Sequence, residues 1–343
     1  MRERQSGGFQ IALVLVAAIV GAGFASGREV LRFFSVFGVW SWAGCALAAL
    51  TLAAFAALTA TLSDRLHAYD LSTLCRRALG GQAGIVAAWL NGALVAATAG
   101  AMIAAMGELM ALALPVHHAY TAGVAASLLL SFFLARKGIA AIAVISGWLL
   151  PACLFLYALL LREPTVTQKA VPPALPGAWR ALPMAFAYAA MNAALACGVL
   201  CEVGRKQSRK VVLRSSAIAG GLMLLLLVGA NAILYRHADT LKDAALPMVM
   251  LARSLGPAGY WLCIVVLSLA VLTTLIAFVR TLNRMLESSL PGRFARLSWP
   301  LALLLPLAIG LIGFDTLVGD VYPLLGVASA LMFLAILIKP RFT

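Results

Sequence analysis

Long apolar runs separated by short, basic loops dominate the chain. A helix that crosses a bilayer needs about 20 predominantly apolar residues. Ten stretches qualify, at residues 9–36, 39–62, 85–114, 119–134, 139–161, 181–203, 211–235, 260–285, 297–314 and 322–338. They use most of the sequence, so the pattern predicts an all-α integral membrane protein with ten transmembrane helices. Residues 1–343 then form one transmembrane domain with no soluble module.

Only the first run is interrupted. Residues 9–20 are apolar apart from Gln10, and an apolar helical pattern resumes at Val30. Between them stand Gly21, Ala22, Gly23, Phe24, Ala25, Ser26 and Gly27, followed by Arg28 and Glu29. Glycine readily leaves helical geometry, and non-helical backbone at membrane depth survives only inside protein or beside a polar cavity. Discontinuous helices of this kind hold ions and substrates in secondary transporters. Carbonyls freed at the end of the inner half suit a cation, and amides freed at the start of the outer half suit a carboxylate. A plain packing face, Gly23-x-x-x-Gly27, is the simpler alternative. A dinucleotide loop at Gly21-x-Gly23 fails on context, because that motif needs a preceding strand.

The loop at 162–177 divides the chain into halves of five spans each, about 8–161 and 178–338. Five is odd, so the halves run in opposite directions through the membrane. That is the arrangement of an inverted repeat with a site at its interface, here read from hydropathy alone.

Composition agrees: 63% of residues are hydrophobic and 11% charged. The net charge of +14 could suggest nucleic acid, but its distribution points elsewhere. With the N-terminus inside and sides alternating, Arg65, Arg76, Arg77, Arg136, Lys137, Arg205, Lys206, Arg209, Lys210 and Arg214 all fall in cytoplasmic loops. Most of the 26 basic residues follow this positive-inside bias. The expectation is a multi-pass protein of the bacterial cytoplasmic (inner) membrane, both termini cytoplasmic, with the lipid bilayer and not nucleic acid as its charged partner. The basic start before an apolar stretch imitates a signal peptide; its removal would leave nine spans, so retention is expected. The six cysteines include no Cys-x-x-Cys pair, and Cys197 with Cys201 make a poor metal site.

Polar residues inside the spans carry the candidate chemistry. Ala270, Thr273 and Thr274 lie near the middle of the eighth run. Threonines in membrane helices commonly bond carbonyls one turn back. Joined to two carbonyls of a broken first helix, they would instead complete a five-oxygen cage for a hard cation such as Na⁺. Charges in a span are costly, hence functional or paired. Glu29 is a candidate amine contact, a proton site or a partner for Arg32, and Glu108 a weaker candidate. Asn91 and Asn231 need no more than interhelical hydrogen bonds. Loop 64–80 is expected along the membrane interface, and 240–255 as a helix pair broken at Pro247 over a vestibule. Ser26 as a nucleophile would need a base within reach; His67, His117, His118 and His237 all lie in or beside loops, so no enzyme is expected.

The run from Gly21 to Glu29, followed by Phe33-Phe34, resembles the YkvI-like membrane protein family. Together with the Ala-x-x-Thr-Thr of the eighth run, it is similar to the amino acid–polyamine–cation (APC) superfamily, with its five-plus-five LeuT-type fold. The resemblance implies a Na⁺ site formed by the Ile19 and Ala22 carbonyls, or with a one-residue shift those of Val20 and Gly23, together with Ala270, Thr273 and Thr274. It implies a substrate site at Gly21–Gly27, opposite a broken helix six offering Tyr188 and Asn192. Helix six departs from the pattern, since no glycine follows Pro183 until Gly198. Gate pairs are implied at Arg4–Glu287 inside and Arg32–Asp320 outside, with helices one, two, six and seven rocking against a scaffold. The function so implied is Na⁺-coupled symport of an amino acid or similar small zwitterionic solute, with no cofactor beyond Na⁺. Proton coupling through Glu29 or Glu108, or a non-transporting sensor, are the alternatives. The sequence does not fix an oligomeric state.

Overall fold

Lipid offers no hydrogen bonds, so each apolar run must pair its own backbone groups. The computed structural model describes residues 8–68, 70–137, 140–167 and 177–338, and these contain helices and turns but no strand. The helices are α1 (Gly8–Ile19), α2 (Ala22–Ala25), α3 (Arg28–Phe33), α4 (Trp40–Arg65), α5 (Leu71–Leu79), α6 (Gly81–Ala113), α7 (Ala119–Lys137), α8 (Ala140–Arg162) and α9 (Pro164–Thr167). They continue as α10 (Ala181–Leu195), α11 (Cys197–Lys206), α12 (Arg209–Leu234), α13 (Ala238–Leu241), α14 (Pro247–Ala252), α15 (Gly256–Ser289), α16 (Ser298–Gly310), α17 (Phe314–Thr316) and α18 (Tyr322–Ile338).

By length and composition, six helices among the described residues can cross a membrane: Trp40–Arg65, Gly81–Ala113, Ala119–Arg136, Arg209–Leu241, Pro247–Glu287 and Phe314–Ile338. A seventh is the pair Ala178–Leu195 and Cys197–Lys206, bent by 64°. The expected ten therefore reduce to six or seven clear spans. Gly8–Ile19, Trp148–Arg162 and Phe294–Gly310 are apolar but short. The first of these ends early because the chain leaves helical geometry after Ile19.

Two groups of helices meet at the centre. In one, α4 packs against α10, α11 and α12, and α1 lies on α12; in the other, α6 packs against α7, α15 and α16. Short α2 touches α15, and α18 packs on α10, which joins the groups. Small residues allow close approach: a Cβ on Gly310 would fall 2.8 Å from the Gly100 carbonyl oxygen. Large apolar side chains such as Trp89, Trp148 and Leu311 point outward and are exposed, as suits a protein surrounded by lipid.

Two connecting segments are ordered. Asp70 caps α5 by accepting from the Thr73 amide (2.8 Å), and Leu74, Cys75 and Ala78 of α5 are buried where it packs on α6. Residues 235–255, which define the upper end of the bundle below, form α13 and α14, with Pro247 at the start of α14.

Candidate solute and cation site

The polypeptide between α1 and α3 is a single helical turn flanked by two departures from helix geometry. At the first, the Gly21 amide closes a tight turn onto the Ile19 carbonyl (2.8 Å). At the second, Gly27 adopts φ +80°, a left-handed conformation that a residue with a Cβ adopts only with strain. Ser26, fully buried, donates its hydroxyl to Gly23 O (3.1 Å) and accepts the Arg28 amide (3.3 Å). Its own carbonyl accepts the Met248 amide of α14 (2.9 Å), so the 240–255 segment sits directly on the break.

The break meets Thr274, the second of the threonine pair. A Cβ on Gly21 would lie 3.2 Å from both Oγ1 and Cγ2 of Thr274. Thr273, buried in α15, directs its hydroxyl hydrogen to Leu269 O (2.9 Å) and Ala270 O (3.1 Å). That is the ordinary threonine arrangement, and it leaves the oxygen lone pairs as acceptors. The Ile19 carbonyl already accepts the Gly21 amide and that of Ala270 accepts Thr273, but each oxygen has a second lone pair. Neutral hydroxyl and carbonyl oxygens of this kind suit a hard monovalent cation.

Three other amides of the break are already bonded. Those of Ala25 and Gly27 bond to Gly21 O (2.9 Å) and Phe24 O (3.0 Å), and that of Arg28 to Ser26 Oγ. The expectation of amides free for a substrate carboxylate is corrected at these three positions, because the segment rewinds into a turn instead of staying extended.

Glu29 occupies the space that Gly23 leaves. A Cβ on Gly23 would overlap its carboxyl group, 2.6 Å from Cδ. The side chain is 6% exposed, and Oε2 has no hydrogen-bond partner among the described residues. It does not pair with Arg32. That residue instead donates from Nε to Gly319 O (2.6 Å) and from a terminal nitrogen to Asp320 (3.2 Å). Leu317–Val321 form a π-helical turn, a widening common at functional sites.

Tyr188 of α10 packs edge-on against Phe33 and Phe34, with ring centroids 5.4 and 5.1 Å apart. The Tyr188 hydroxyl is buried with no hydrogen-bond partner among the described residues, and Tyr322 is fully buried. Thr98 stands beside Tyr322, but its hydroxyl turns to Leu94 O (2.8 Å). Asn192 bonds the backbone carbonyl of Tyr188 (3.0 Å), not its hydroxyl, one turn before the chain bends after Leu195. An apolar cavity of about 10 Å³ touches both breaks, with Ile19, Ala193 and Ala196 among its lining residues. That is room for about one water.

The remaining candidates lie apart from this centre. Glu108 is half-buried in α6, within electrostatic reach of Asp315 and Tyr120. Glu287 is exposed, and Arg4 lies outside the described residues. Asn231 bridges Ser35 (2.8 Å) and Ser41 (2.9 Å), the interhelical role expected of it. Sequence reasoning missed Arg28, Asp315 and Tyr322. Arg28 is buried, pairs with Asp315 and donates to the Lys242 carbonyl. Its position beside Gly27 was the available signal; Asp315 and Tyr322 offered none beyond polarity near a helix end.

No family model matches the chain. Over 346 residues it is 24% identical to the uncharacterized membrane protein YkvI of Bacillus subtilis (strain 168), covering 99% of this chain and 98% of that protein. Its fold is similar to that of MhsT in complex with L-phenylalanine, with a TM-score of 0.62 at 14% identity, over 100% of this chain and 94% of that one. It is also similar to a manganese transporter of Eremococcus coleocola (TM-score 0.63, 15% identity, 98% and 81% covered). A nucleobase-cation-symport-1 family transporter with bromovinylhydantoin bound gives a TM-score of 0.51 at 18% identity, with 98% and 72% covered. The sequence relative is a membrane protein, and the solved structures that the chain resembles share the LeuT-type fold.

Proposed function

We propose that this relative of YkvI is a secondary active transporter that moves a small solute by alternating access, coupled to Na⁺. The observation that carries the reading is the approach of Gly21 to Thr274, so close that a methyl group on Gly21 would lie 3.2 Å from the threonine hydroxyl. This approach supports a reading in which backbone oxygens of the broken helix face the threonine hydroxyls. In this reading Ile19, Ala22, Ala270, Thr273 and Thr274 supply the oxygens for Na⁺. The short apolar helices complete ten spans in two inverted halves, with helices one and six discontinuous. The protein lies in the bacterial inner membrane with both termini cytoplasmic, so the upper end is extracellular. Helices α1–α4 and α10–α12 rock against α6, α7, α15 and α16. Arg28–Asp315 and Arg32–Asp320 hold the extracellular side closed.

The test is thermal stability of purified protein in Na⁺ against K⁺ at equal ionic strength. A ligand that binds the native state stabilises it by mass action. Na⁺ should raise the midpoint of the native protein and not that of Thr273→Ala/Thr274→Ala; an undiminished Na⁺ response in the double variant would overturn the site. A second reading, proton coupling, draws on the buried, unpartnered Oε2 of Glu29, with Glu108 as the other candidate carboxyl. Solute-driven acidification in proteoliposomes that disappears in Glu29→Gln or Glu108→Gln would favour it.

A further inference from the structure

Away from the cation and solute site, two nucleophilic side chains are in direct contact. Cys197 and Cys201 stand one turn apart in α11, and their sulfurs lie 3.5 Å from each other. Both are free thiols and buried, at 1% and 0% exposed. Cys197 is the first residue beyond the bend, where Ala196 separates α10 from α11 and the helix turns by 64°. The turn that carries the pair is held on α4: Ser63 donates its hydroxyl to the Cys201 carbonyl (3.3 Å), and a Cβ on Gly204 would fall 2.1 Å from Ala60 O. Neither thiol has a part in the transport scheme above.

Geometry decides what two such thiols can hold. A disulfide needs Cβ atoms about 3.5–4.5 Å apart, whereas positions i and i+4 of a helix place them about 5–6 Å apart. Closing that bond would distort the turn. Zinc takes four ligands, and no group of three or more histidine, cysteine, aspartate or glutamate side chains that could hold a metal occurs among the described residues. A linear two-coordinate ion with bonds of about 2.3 Å would need sulfurs about 4.6 Å apart. A pyramidal centre with bonds of about 2.3 Å and an angle of about 100° needs them about 3.5 Å apart. That matches the separation of the Cys197 and Cys201 sulfurs. Trivalent arsenic is such a centre: it is soft, prefers sulfur, and brings its third ligand with it.

We propose that Cys197 and Cys201 form a binding site for a trivalent arsenical, R–As(OH)₂, whose single arsenic atom bridges the two sulfurs. Two As–S bonds form and two As–O bonds break. Each thiol proton leaves with a hydroxide as water, and no electron is transferred. The bridge spans one turn of α11 and keeps it helical, so it stiffens the segment directly beyond the bend. Helix α5 packs on both α6 and α11. The rocking of α10–α12 against α6 would therefore part α5 from α11 and free the surface that α5 covers. The access route draws on the transporter reading, but the site itself does not.

The probe is phenylarsine oxide, which hydrates to phenylarsonous acid, added in slight excess to the reduced, full-length purified protein. The intact mass should rise by one phenylarsenic group less two hydrogens. Two of the six cysteines should become unreactive to N-ethylmaleimide. A dithiol such as 2,3-dimercaptopropanol should reverse both changes, and 2-mercaptoethanol at the same thiol concentration should not. Peptide mapping should place the bridge between residues 197 and 201. Cys197→Ser and Cys201→Ser should each abolish binding, whereas Cys75→Ser should leave it unchanged. No bound arsenic, a bridge between other cysteines, or undiminished binding in Cys197→Ser would overturn the proposal. The mapping uses the unaltered chain, so it decides the matter even if a serine variant fails to fold. The Na⁺ response is measured separately, and its absence would overturn the transporter reading while leaving this site standing.

Discussion

Arg28 pairs with Asp315 across the upper end of the bundle, tying the helix that follows the glycine-rich break to the short turn that precedes α18. The same guanidinium donates to the Lys242 carbonyl, so one buried side chain joins three segments distant in sequence. The Arg28 side chain is 7% exposed, but Asp315 is 49% exposed. Removing one partner of a fully buried pair costs about 3–5 kcal/mol, and the exposure of Asp315 reduces this to about 2 kcal/mol. Asp315→Asn should therefore loosen the upper end, seen as faster amide hydrogen exchange over residues 24–31. Unchanged exchange would show that the pair does not hold the closure.

Arg32 should behave differently, although it too carries an ion pair. Its side chain is 47% exposed and that of Asp320 69%, and pairs this open contribute about 0–1 kcal/mol. Asp320→Asn should shift the thermal midpoint less than Asp315→Asn, and the ranking of the two variants is the measurement. An equal or larger effect at Asp320 would reverse the assignment of which arginine secures the end.

Gly23→Ala places a methyl group on the Glu29 carboxyl. Overpacking of this kind costs about 1–3 kcal/mol, and here the carboxyl can escape only by leaving its buried position. The variant should unfold at lower temperature. Adding Glu29→Ala should recover part of the loss, since contacting residues are coupled. Additive losses would mean that the clash is not the cause.

Gly21→Ala is a finer probe. Its methyl would lie 3.2 Å from Thr274 Oγ1 and Cγ2, tight but tolerable if the threonine yields. The expected result is a folded protein with a weakened Na⁺ response, partly restored by Thr274→Ser, which removes the crowded methyl group. A full Na⁺ response in Gly21→Ala would argue against a cation between these residues.

The resemblance noted in the sequence reached the all-helical, LeuT-type architecture, whereas six or seven of the ten expected spans are clear and the side-chain pairings came out unevenly. Glu29 and Arg32 stand three residues apart, a spacing that suits a pair along one helix, yet they turn to different partners. Arg32 finds Asp320 and Gly319 O, whereas Glu29 folds back over Gly23. Asn192 and Tyr188 share a helix face as their spacing requires, but the bond runs to the backbone and leaves the hydroxyl unpartnered. Helix six bends between Leu195 and Cys197 without a glycine or proline at the break, so no local residue announces it.

What the sequence determined by itself was local: which segments had to be helical to satisfy their backbone in lipid, where three glycines and a serine would release that constraint, and which two threonines lay on a helix able to face the gap. Each follows from residue type and spacing within a few turns. Only the tertiary structure decided which groups meet, because those partners come from the far end of the chain. Arg28 reaches Asp315, Gly21 abuts Thr274, and Tyr188 packs against Phe33 and Phe34. Local spacing cannot encode such meetings, since a side chain's rotamer is chosen by the surface packed against it. At the break that surface belongs to α6, α12, α14 and α15.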